Sequence, residues 1–266
     1  MRRDAAPSAR SRPSVLVLTG HGLTSSVVLR SIAELAEHFD VVTVPGGAGG
    51  GAHTHAQALA SLDAAGVDQA HVYGLSFGAT LAQQLAIEHP DRVKTLVLGS
   101  STAGGERYVA PDPAVRDFLR RISDLPTEEG VWASVPYAYS STTWRSNARL
   151  IGEDIARRLR RPLDPSSYRH QHEVARTHDT GAQLSQIAVS TLVIHGEEDR
   201  ILPLENGRLL AEGIAAARFY PVPGAAHAFP TDVVTANREI VSFLLEHSQR
   251  RPRSTAASRT GRATRA

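Results

Sequence analysis

The chain has no cysteine. Disulfides, thiolate zinc sites and cysteine nucleophiles are thereby excluded, and a reducing compartment fits. Lysine is nearly absent too: Lys94 stands alone beside 28 arginines, which looks like genome composition rather than a phosphate-binding surface. Long apolar runs are missing. "VLVL" and "TLVLG" are strand-sized, far short of the roughly 18 residues of a membrane span. The N-terminal "MRRDAAPSARSRPS" is basic and holds no apolar segment of signal-peptide length. These absences predict a cytoplasmic protein with no membrane partner.

What is present fits a globular enzyme-sized chain: 266 residues, 41% hydrophobic and 21% charged, enough to bury a full core. The net charge of +2 is unevenly spread. Residues 1–12 carry four Arg and one Asp, residues 250–266 carry six Arg and no acid, and about −7 remains between them. Both ends are Ala/Arg/Ser/Thr-rich and too poor in apolar residues to fold. Residues 1–13 read as a disordered leader and 250–266 as a disordered tail, with no nucleic-acid partner expected.

Between the ends, β-branched runs alternate with helical patterns. "VLVLTG" (15–20) predicts a buried strand, and Val28, Ile32, Leu35 and Phe39 then fall on one helix face. "DVVTV" follows, then a glycine-rich loop and "THAQALASLDAAG", a helix stopped by Gly66. "AHVYG" and "VKTLVLG" are further strands. The rhythm breaks over 101–188, where amphipathic stretches are divided by prolines, and resumes with "STLVIHG" and "RFYPV". Strands alternating with helices imply crossovers and a parallel sheet. The expected architecture is α/β: a doubly wound core over 14–100 and 189–249, with 101–188 inserted as a helical cap.

"GLSFG" puts Ser76 between a strand and a helix. So tight a turn strains its central residue and needs Gly74 and Gly78, where a Cβ would collide with backbone. A serine hydroxyl is a weak nucleophile that needs a histidine base, and the histidine needs a carboxylate. After "STLVIHG" come Glu197, Glu198 and Asp199; after "RFYPVPG" comes His227. Each follows a strand, so each is expected on the same rim as Ser76.

Four ordered motifs resemble those of the α/β-hydrolases of the esterase and lactonase type: "TGHGLTSS", "GLSFG", "HGEEDRILP" and "GAAHAF". The likeness covers roughly residues 14–247. It implies Ser76 as nucleophile, Asp199 as acid and His227 as base, with the amides of Leu23 and Phe77 as oxyanion hole and no cofactor. It implies a small-molecule ester or lactone as substrate. The alternatives kept open are thioester or C–C bond hydrolysis, acyl transfer or perhydrolysis by the same triad, and a non-catalytic ligand-binding protein on this scaffold. Two departures stand out. The family's leading β-hairpin has no counterpart ahead of the first strand, which predicts either a six-stranded sheet or a true start that lies upstream, and "VPGGAGGGAHTH" replaces a D-x-x-G-x-G segment.

The insertion holds half of the chain's aromatic residues, which favours an apolar cavity beneath it. Trp132, Tyr137 and Trp144 are the candidate lining residues, with Leu75 of the elbow and His21 beside the oxyanion loop. His53 and His55, and the group His170, His172 and His178, match no zinc motif and read as solvated. No metal is expected. Nothing in the sequence points to an oligomeric state.

Overall fold

The computed structural model describes residues 12–20, 29–44, 54–160 and 165–248. Its first part runs β1 (Ser14–Leu18), α1 (Leu29–Ala36), β2 (Asp40–Thr43), α2 (His55–Ala64), β3 (Ala70–Leu75), α3 (Phe77–Glu88) and β4 (Val93–Gly99). Six helices follow: α4 (Pro113–Arg121), α5 (Thr127–Ala133), α6 (Val135–Ala138), α7 (Ser141–Ser146), α8 (Ala148–Arg160) and α9 (Pro165–Thr177). The chain then returns to the sheet with β5 (Thr191–Gly196), α10 (Leu204–Gly213), β6 (Ala217–Val222), α11 (Phe229–Asp232) and α12 (Thr235–Ser248). The basic leader up to residue 11 and the tail from 249 lie outside the described residues.

The six strands form one sheet in the order β2-β1-β3-β4-β5-β6, and every pairing is parallel. This is the six-stranded α/β architecture expected from the alternating pattern. Because successive side chains of a strand point to opposite faces, each strand feeds two cores. Leu16, Leu18, Val72, Leu96 and Val193 pack with α2, α3 and α10 on one face. Val15, Val17, Tyr73, Val97 and Ile194 pack with α1 and α12 on the other. Burial on both faces is why these strands read as continuous apolar runs rather than as alternation.

Sheet growth reverses at β1, with β2 on one side and β3 on the other. The crevice beyond the strand ends at such a reversal is where ligands bind in open α/β sheets. The turn after β3 opens there. The helical insertion between β4 and β5 contains no strand among the described residues. Its two ends are clasped together by an antiparallel bridge between Gly104 and Asp179 and by the bond from Thr180 N to Ala103 O, 2.9 Å. Val131, Tyr139, Ile151 and Ile155 form its own small core, against which Ala228 packs.

Candidate active site

Only Ser76 separates β3 from α3. Its backbone is held at φ 54°, ψ −118°, a conformation a residue with a Cβ adopts only under strain. Neighbours enforce it: Ser76 N donates to Gly99 O at 2.8 Å. A Cβ on Gly78 would overlap the Leu18 carbonyl, and one on Gly74 would overlap the backbone at Gly78 and Ala79. The helix can start this close to the sheet only with glycine at both places. Phe77 is the first residue of α3, so its amide stands at the positive end of that helix.

Asp199 and His227 arrive on the same edge because β5 and β6 are parallel to β3. His227 Nε2 lies 2.9 Å from Ser76 Oγ, and His227 Nδ1 lies 2.7 Å from Asp199 Oδ2. With the Nδ1 proton donated to the carboxylate, Nε2 presents a lone pair to the serine hydroxyl. Asp199 Oδ1 accepts the amides of Ile201 and Leu202, each at 2.9 Å. Burial pushes the Asp199 carboxyl up, but the charge of His227 and the hydrogen bonds from His195 and His227 outweigh it and hold it below the usual carboxylate range. Ser76 and His227 keep partial access to solvent, whereas Asp199 is buried.

Four further residues support this line. Ser100, among the described residues the other non-glycine with positive φ (42°), donates its hydroxyl to the His227 carbonyl at 3.1 Å. Ser101 Oγ donates to Ser76 O at 3.4 Å. Asp232 accepts the amide of Ala226, next to His227, at 2.7 Å. His195, one residue before the end of β5, reaches Asp199 Oδ2 from within the core, its Nε2 at 3.2 Å. None of the four was singled out in the sequence. The only signal was position, since each lies just past a strand end or beside one of the quoted motifs.

The remaining candidates are scattered. His21 and Leu23 lie outside the described residues. Leu75 is buried, packed into the α1/α12 side of the core. Trp132 is 52% exposed. Tyr137 stacks on Phe118, ring centroids 4.4 Å apart, and carries the Arg200 guanidinium at 5.2 Å on its ring. Trp144 lines a cavity of about 310 Å³ with Pro136, Tyr139, Ser140, Ser141, Glu198 and Arg200. That lining combines Pro136, Tyr139 and Trp144 with an acid and an arginine.

The histidine expectation also needs correcting. Helix α9 ends at Thr177, so His178 leaves the helix and is buried, 3.4 Å from Gln83 Oε1. His170 and His172 are exposed, His55 pairs with Glu88 at 3.2 Å, and His53 lies outside the described residues. Among the described residues no three His, Cys, Asp or Glu side chains are grouped to hold a metal ion. No described helix is long and apolar enough to cross a membrane.

A family model of the alpha/beta hydrolase fold matches residues 13–231. The chain belongs to the alpha/beta hydrolase fold family. Among its relatives is the pimeloyl-[acyl-carrier protein] methyl ester esterase of Chromobacterium violaceum, 30% identical, the alignment covering 88% of this chain and 94% of that one. The 2-hydroxymuconate semialdehyde hydrolase of Pseudomonas putida is 32% identical, with 64% of this chain and 60% of that one covered. A carbamate hydrolase of Azorhizobium caulinodans is 30% identical, with 63% of each chain covered. The match to these last two therefore spans less than two thirds of their length. In three dimensions this hydrolase superposes on the enol-lactonase of Burkholderia xenovorans with a TM-score of 0.75 at 23% identity, covering 91% of this chain and 94% of that one. At that identity the likeness speaks for the fold.

Proposed function

We propose that this hydrolase cleaves a carboxylic ester or lactone through an acyl-enzyme formed on Ser76. The observation that carries the reading is the continuous line Ser76 Oγ–His227 Nε2–His227 Nδ1–Asp199 Oδ2, with bonds of 2.9 and 2.7 Å. Ser76 Oγ attacks the carbonyl carbon as its proton passes to His227 Nε2, and Asp199 stabilises the imidazolium and fixes its tautomer. The negative charge on the former carbonyl oxygen falls to the amide of Phe77 and, as the family resemblance implies, that of Leu23. One such donor is typically worth about 3–4 kcal/mol in the transition state. His227 then returns the proton to the leaving alkoxide. A water deprotonated by the same imidazole attacks the acyl carbon, the bond to Ser76 Oγ breaks as His227 returns the proton to Oγ, and the carboxylic acid departs.

A C–C bond hydrolase is the second reading, favoured by the 32% identity to the semialdehyde hydrolase. Cytoplasmic location and a small-molecule substrate belong to the same proposal. The test is a fluorophosphonate probe together with p-nitrophenyl esters of graded chain length and a lactone panel. Labelling and ester turnover that fall at least about 10³-fold in Ser76→Ala support the reading. Labelling that persists in that variant would refute it, and no labelling of the wild type would point to a non-catalytic binding protein.

A further inference from the structure

The carboxylate of Asp199 is held by two histidines, and only one of them faces Ser76. His195 projects from β5 into the core and is fully buried. Its Nε2 lies 2.8 Å from Leu202 O and 3.2 Å from Asp199 Oδ2. Both neighbours are acceptors, so Nε2 must carry the proton. Its Nδ1 is buried with no hydrogen-bond partner. A lone pair left unpaired there is tolerated more readily than an unpaired N–H would be, which places the proton on Nε2 rather than Nδ1. The helix opposite is shaped around it: a Cβ on Gly207 of α10 would come within 2.5 Å of Nδ1.

We propose that His195 is a positioning residue for the catalytic acid, and that its Nε2–H tunes the base strength of His227 by sharing Asp199 Oδ2. The proposal rests on the Ser76–His227–Asp199 reading above. The Nε2–H of His195 donates to Leu202 O at 2.8 Å and stands 3.2 Å from Asp199 Oδ2, so its positive end draws charge from the oxygen that accepts from His227 Nδ1 and weakens that bond. The donor from His195 therefore moderates how strongly Asp199 holds protonated His227. At the same time it ties Asp199 to Leu202, whose amide holds the other carboxylate oxygen, and so fixes the plane of the carboxylate. The other ionisable groups around the pair are Asp232 on the Ala226 amide, Glu198 close to Asp232, and Arg200 on Tyr137. Substitution at 195 leaves each of those in place.

The test is the pH dependence of fluorophosphonate inactivation in the whole chain, with Ser76→Ala as the control for the labelled residue. His195→Gln places an amide N–H where Nε2 was and is expected to keep the wild-type profile. His195→Phe keeps the ring and removes the donor. Its acid limb should move to higher pH by about half a unit, about threefold in rate on the limb, with a smaller change on the plateau. His195→Asn, whose amide reaches only the Nδ1 position, should behave like Phe and serves if the Phe variant does not fold. A limb at the wild-type pH in both donor-less variants would overturn the proposal while leaving the triad standing. Labelling retained by Ser76→Ala would instead overturn the triad.

Discussion

Asp232 grips the backbone amide of Ser140 with both carboxylate oxygens, at 3.1 and 3.0 Å. Ser140 belongs to the helical insertion and Asp232 to α11, which follows His227. The same Oδ2 also takes the amide of Ala226, and beside it Ala228 N donates to Ala138 O at 2.7 Å. The insertion is therefore stitched to the loop that presents the proposed base, not merely laid over the sheet. Thr231 adds a bond to Asp154 of α8, 2.7 Å.

Removing this grip should loosen the site more than the fold. Asp232→Ala leaves the Ser140 and Ala226 amides without their acceptor, and a buried amide so stranded is destabilising by about 1–3 kcal/mol. Under the proposed function, ester turnover should fall further than the stability loss suggests, because the His227 loop loses its hold. Urea denaturation beside ester kinetics checks this. Wild-type turnover in a variant destabilised by that amount would show that the loop is held elsewhere.

Ser76 offers a different separation of stability from activity. At φ 54° a serine is strained, whereas a glycine is at ease. Both Ser76→Ala and Ser76→Gly remove the hydroxyl, and both should abolish labelling by the fluorophosphonate probe. The glycine variant should nevertheless be the more stable of the two by about 1 kcal/mol, read as a higher midpoint in urea. Equal midpoints would mean that the turn relaxes in the variants.

Much of this was legible in the sequence because the strands are short, apolar and buried on both faces, and because three motifs end at strands running the same way. The parallel sheet puts Ser76, Asp199 and His227 on one rim whatever the loops do. What escaped depends on contacts between distant stretches. Asp232 looks like an ordinary helix-terminal acid until Ser140, 92 residues away, is found on it. His195 reads as one more residue of an apolar strand. His178 reads as solvated with its neighbours His170 and His172, but it lies past Thr177, where the chain turns inward to Gln83. Aromatic enrichment in the insertion did not predict where Trp132 and Trp144 would point, since composition has no direction.

Two buried histidines outside the Ser76–His227–Asp199 line should make the fold sensitive to acid. His71 is buried between Thr95 and Ser248, its Nδ1 2.7 Å from Thr95 Oγ1 and its Nε2 2.9 Å from Ser248 Oγ. Burial first, then the charges of Lys94 and His247, pull its pKa down to about 3. Burial likewise pulls His178 down to about 4, against a small opposing pull from Asp179. In the unfolded chain both take a proton near pH 6.5, whereas in the fold they stay neutral until about 3 to 4. The stability they contribute is thus complete above pH 6.5 and is lost as the pH falls from there toward those folded-state values. At pH 5 the loss should be on the order of 1–2 kcal/mol for each. Urea midpoints at pH 7.5 and pH 5 should differ accordingly, and His178→Gln, which cannot take the proton, should narrow the gap. An unchanged gap in that variant would place the acid sensitivity elsewhere.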